Sequence, residues 1–168
     1  MKKFTRSALL AALLGLSLPA GAAVLQFTSI LSGHNETNGA GLFDQGDPDG
    51  SGVATLFIDD VANTIDWNII VNGIDLPLTG AHIHQGNFDA NGPIVVNFGG
   101  QLSGLDLFDA DLAAVSVNPA GFYVNVHNAA FPGGAIRGQI TLIPEPAAVS
   151  LMLAGLGLVG WRLSRRPT

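Results

Sequence analysis

Phe122-Tyr123-Val124-Asn125-Val126-His127 decides the fold class. In an extended strand, Phe122, Val124 and Val126 share one face, while Tyr123, Asn125 and His127 share the other. Similar runs rich in Val, Ile, Phe or Thr span Val24 to Ile30, Val53 to Ile58, Thr64 to Val71, Gly80 to His84, Pro93 to Phe98 and Ala135 to Leu142. Clusters of Gly, Asn, Asp and Pro separate them, as at Asp44 to Gly52, Gly86 to Gly92 and Phe131 to Gly134. This spacing predicts an all-β, antiparallel Greek-key sandwich or barrel of about seven to eight strands. One segment departs from the rhythm. Leu107, Phe108, Leu112 and Ala113 fall near helical spacing, so Leu105 to Ala114 predicts one short helix, or a helical turn on a connection, with Asp106 as its cap.

Two of these strands carry three of the four histidines. Ala81-His82-Ile83-His84-Gln85-Gly86 puts two imidazoles on one strand face, with Cα atoms about 6.5–7 Å apart. His127 ends another strand. If the two strands are neighbours, His82, His84 and His127 converge as a ligand set for copper or zinc with an open coordination position. Ligation needs neutral imidazoles, so affinity is expected to fall as pH drops through about 6.5. The other reading has each ring bonded to a backbone group, locking adjoining loops. The residues leave both readings open.

Arg137 follows the tight turn Pro132-Gly133-Gly134, which is expected to close a hairpin with the strand of His127. A guanidinium there suits an ion pair with an Asp or with Glu36, or draws an anion to a metal site. The loop Asp44-Gln45-Gly46-Asp47-Pro48-Asp49-Gly50-Ser51-Gly52 is acidic but misses the EF-hand register. Gln45 would stand at the first ligand place and Leu56 at the twelfth. It reads as a solvated acidic turn.

Charge narrows the partner classes. The whole chain carries −6, yet between Ala23 and Ile143 Arg137 is the only Lys or Arg, facing Glu36 and eleven aspartates. Such a surface cannot neutralise phosphates, which excludes nucleic acid and anionic lipid headgroups as partners. The chain has no cysteine. Thiol catalysis, iron–sulfur clusters and disulfide staples are therefore excluded, and roughly 120 residues are enough for one core without them. No Ser-His-Asp spacing or nucleotide loop stands out, so no catalytic residues are assigned.

Both ends read as addresses. Lys2, Lys3 and Arg6, the apolar run Ala8 to Leu18 and the small residues Ala20-Gly21-Ala22 predict a signal peptide over 1–22, removed by signal peptidase. At the other end stand Pro144-Glu145-Pro146, an apolar run from Ala147 to Trp161, and Arg162, Arg165 and Arg166. A transmembrane helix is expected over 147–163, with the arginines inside and one β domain, 23–143, outside. This tail, 144–168, resembles the PEP-CTERM sorting signal, which an exosortase recognises and processes. The resemblance implies inner-membrane anchoring first, then a place in the envelope or outside the cell.

The segment between resembles the CHRD domain. Leu31-Ser32-Gly33 with Glu36, Ala81 to Gly86, Asn91-Gly92-Pro93-Ile94-Val95-Val96, Phe122 to His127 and Pro132 to Ile140 carry the resemblance in order. It implies an extracellular β domain. A weaker similarity is to copper/zinc superoxide dismutase. There His82, His84 and His127 would match copper ligands, and Arg137 the arginine that draws in superoxide. No histidine between His84 and His127 can bridge to zinc, and the disulfide cysteines are missing. The expected function is an exported, envelope- or surface-sorted domain with a structural or interaction role toward an extracellular polymer or protein. The alternative is a copper- or zinc-binding module on the three histidines, with dismutase-like redox chemistry.

Overall fold

The computed structural model describes residues 24–164, with the side chains of 146–149 and 163 left aside. The expected signal peptide, Arg165 and Arg166 lie outside the described residues. The strands are β1 Val24–Ser32, β2 Ser51–Asp59, β3 Thr64–Asn72, β4 Leu78–Gln85, β5 Ile94–Asn97, β6 Ser103–Phe108, β7 Phe122–Asn128, β8 Ile136–Gln139 and β9 Thr141–Leu142. Helix α1 covers Leu112–Val117 and α2 covers Pro146–Ser164.

The sheet runs β5-β4-β7-β8-β1-β2-β3-β6, with β9 beside β1, and its pairings are antiparallel. It curls into a half-barrel, which meets the expected fold class. Curling lets the inward faces of both wings share one core. Phe27, Leu31, Leu56, Ile58 and Ile65 from one wing join Ile83, Val96, Val124, Val126 and Ile136 from the other. Apolar residues at every second position make this possible, because the pleat sends them all to one side.

The expected helix over Leu105 to Ala114 is corrected. Residues up to Phe108 form β6, paired with β3 through Thr64↔Phe108 and Ile65↔Leu107. Trp67 takes Gly104 and Asn68 takes Ser103. Asp106 caps no helix: it sits at the register shift of this pair with φ 53°, and its N–H donates to Asp66 Oδ1 at 2.8 Å. The free edge of β3 supplies a ladder of backbone partners, which outweighs a weak helical pattern over ten residues. The helix begins only at Leu112, and it buries Leu112 and Val115.

Beyond the domain, β9 pairs Leu142 with Phe27 and Thr141 with Thr28, and Ile143 N–H donates to the Gln26 carbonyl at 2.8 Å. Helix α2 then covers the apolar tail. Among the described residues no helix is long and apolar enough to cross a membrane. The expected span 147–163 includes side chains outside those described.

Candidate functional site

The site lies on the outer face of β4, β7 and β8, opposite the core. Register sets three rows across it: Gly80 faces His127, His82 faces Asn125 which faces Arg137, and His84 faces Tyr123 which faces Gln139. An ordinary half-solvated sheet would leave such a row wet. Here Tyr123, Asn125 and Arg137 are 1%, 3% and 1% exposed, so this polar face is a second interior. Loops roof it. The Asn35 amide donates to the Arg137 carbonyl, the Asn91 amide to the Thr37 carbonyl, and Asp47 N–H to the Ala135 carbonyl.

The three histidines come together. One ring nitrogen from each of His82, His84 and His127 lies within 4.8 Å of the others. Ring centroids are 5.6 Å apart for His82 and His84, 5.1 Å for His82 and His127, and 6.0 Å for His84 and His127. The fourth histidine stands apart: His34 is exposed and pairs with Asp44 at 2.6 Å.

Hydrogen bonds settle the tautomers of two rings. His84 Nδ1 lies 2.9 Å from the Gly92 carbonyl and His127 Nδ1 lies 3.1 Å from the Pro132 carbonyl. A carbonyl only accepts, so each Nδ1 carries the proton and each Nε2 keeps its lone pair. Both Nε2 atoms, and Nδ1 of His82, are buried without a protein hydrogen-bond partner. The backbone bonds expected of the second reading are thus present at His84 and His127, and they leave the other ring nitrogens without a protein partner.

The environment keeps these rings neutral. Burial, then the neighbouring His127 and His84, hold the His82 imidazole down to about 4. Burial also lowers His84 and His127, partly offset by the Gly92 and Pro132 carbonyls. In the fold these rings resist protonation, because burial disfavours the charged imidazolium.

Gly80 makes room for His82. A Cβ at position 80 would stand 2.6 Å from Cε1 and 3.2 Å from Nε2 of the His82 ring. The ring lies over this bare backbone, on the side where His127 is the cross-strand neighbour.

Among the described residues Arg137 makes no direct ion pair, though its charge acts on buried Glu36. Its guanidinium donates to Asn91 Oδ1 at 2.9 Å and to the Asn87 and Ala90 carbonyls at 3.0 and 3.1 Å. It also lies 3.7 Å from the centroid of Tyr123, whose ring stacks on His84 with centroids 5.0 Å apart. The Tyr123 hydroxyl accepts from Gly92 N–H at 3.2 Å. Arg137 thus clamps the loop that presents the Gly92 carbonyl to His84.

Glu36 is 2% exposed, and its carboxyl is raised to about 7. Burial dominates, while the Arg137 charge and then the Asn125 amide pull the other way. The carboxylate packs against Gly134, where φ is +139° and a Cβ would meet Oε1 at 2.5 Å. Position 134 needs glycine on both counts.

The alternation of β4 and β7 already pointed Tyr123 and Asn125 to the histidine face, and Gly80 belongs to the same series as His82 and His84. The partners from Asn87, Ala90, Asn91 and Gly92 carried no such signal, because irregular loops have no period.

Residues 27–140 match the family model of the CHRD domain, and residues 142–166 match that of the PEP-CTERM protein-sorting motif. No curated protein and no solved structure matches the chain.

Proposed function

The chain belongs to the CHRD domain family and carries a PEP-CTERM motif behind that domain, and from this premise we propose a structural or interaction role for it in the cell envelope. The motif supports an exported, envelope-sorted protein and implies processing by exosortase-type sorting machinery. The signal peptide 1–22, a β domain over 23–143 and a temporary inner-membrane anchor over 147–163 complete the proposal.

The abutment of domain and motif carries it: the domain match ends at 140 and the motif match begins at 142. Strand β9 is still hydrogen-bonded to β1 there, so only the Pro-Glu-Pro separates folded sheet from tail. Cleavage near that turn releases the domain intact, without unpicking a strand. For the interaction role, Ile30, Val53 and Ile70 form one exposed cross-strand row on the outer face of β1, β2 and β3. An apolar strip of that kind suits contact with an extracellular polymer or protein.

Intact-mass measurement on protein released by an exosortase-bearing host tests the sorting step. The expected mature chain begins near Ala23 and ends near Pro144 to Pro146. Released protein still ending at Thr168 would overturn processing and leave a plain anchor.

A further inference from the structure

We propose that His82, His84 and His127 form a binding site for a single copper or zinc ion. The site goes beyond the sorting role and does not depend on how the tail is processed.

Three independent observations carry it. The first is convergence: one nitrogen from each ring lies within 4.8 Å of the other two. Two nitrogens bonded to one ion at about 2.0–2.1 Å can be no more than ~4.2 Å apart, so small ring rotations close the set. The second is the orphaned donors. Nε2 of His84, Nε2 of His127 and Nδ1 of His82 are buried with lone pairs or protons unmatched by any protein group. Leaving buried polar atoms unpaired costs on the order of 1–3 kcal/mol each, and one ion would satisfy all three. The third is the bare backbone at Gly80, where any side chain would displace the His82 ring.

The donor chemistry names the class of ion. Among the described residues no carboxylate or thiol joins the cluster, so calcium and magnesium, which take oxygen ligands, do not fit. Neutral imidazole suits copper and zinc, and divalent copper is the stronger binder of the two at a given nitrogen site. Three protein ligands leave a coordination position open for water or a small ligand. The Gly92 and Pro132 carbonyls hold the outer nitrogens, as outer partners of metal-bound histidines generally do. Arg137 and Tyr123 support the set through the Gly92 loop and the His84 ring as positioning residues, not ligands.

The test uses the untagged full chain, purified in detergent, stripped with chelator, then equilibrated with copper(II) or zinc(II) chloride and desalted. Elemental analysis should find one copper per chain, with zinc held at least about tenfold more weakly. His82→Ala/His84→Ala and His127→Ala should each abolish retention, while His34→Ala, altering the surface pair with Asp44, should retain the ion. Gly80→Ala keeps every imidazole and should still weaken binding at least about tenfold. Thermal unfolding of the unaltered chain guards against variants that fail to fold: one equivalent of copper should raise its Tm. Retention no greater than that of the double variant, or an unchanged Tm with copper, would overturn the site. Undiminished binding by His127→Ala would do so as well.

Discussion

Arg137→Leu should lower the stability of the domain by about 3–5 kcal/mol, the range for breaking a buried charged network by removing one partner. For about 120 residues this corresponds to a fall in Tm of roughly 10–20 °C, readable by circular dichroism. The side chain is 1% exposed and is the only cation between Ala23 and Ile143. Its removal strands three acceptors at once: Asn91 Oδ1 and the Asn87 and Ala90 carbonyls. Leucine fills much of the volume but donates nothing, and it takes the counter-charge away from buried Glu36. Arg137→Lys should cost less, since it keeps the charge and loses only the planar fork. Hydrogen exchange should speed up across 86–92 in the leucine variant. A loss below about 1 kcal/mol would mean that the loop is held by other contacts.

Glu36→Gln should do the opposite, with a gain that builds as pH rises from 4.5 through 7. The folded carboxyl titrates at about 7 instead of 4.5, so between those values the folded state binds more protons than the unfolded chain. Stability from this group is complete below 4.5 and is lost as pH rises through 7. Glutamine keeps the shape and never ionises. The variant should therefore gain about 3 kcal/mol over the parent at pH 8, shrinking to under about 1 kcal/mol at pH 5. The histidines have the reverse slope, since their lowered values favour the fold at higher pH, but they are common to both proteins and cancel in the comparison. Urea melts at the two pH values give the answer. An equal gain at both would mean that burial of the carboxylate is not what the substitution relieves.

The two substitutions probe one buried polar layer, and that layer was only half legible beforehand. Alternation in Phe122 to Asn128 and Ala81 to Gln85 placed His82, His84, Tyr123, Asn125 and His127 on non-core faces, since period two is a local property of extended backbone. The Pro-Gly-Gly turn likewise foretold the β7–β8 hairpin that puts Arg137 opposite Asn125. The reading over Leu105 to Ala114 failed for the converse reason: pairing with β3 is non-local, and no window of ten residues contains it.

By itself, then, the sequence determined every strand except β6, the inward faces, the acidic and cysteine-free character of the domain and the sorting tail. Each follows from composition or from contacts close along the chain. Tertiary structure alone decided that β4 lies beside β7, bringing His127 to His82 and His84, which lie more than forty positions earlier. It also decided that loops at 33–50 and 86–92 roof the outer face, turning a surface into an interior. Burial is what lowers the imidazoles, raises Glu36 and leaves ring nitrogens without partners, and burial depends on which distant segments come to rest there.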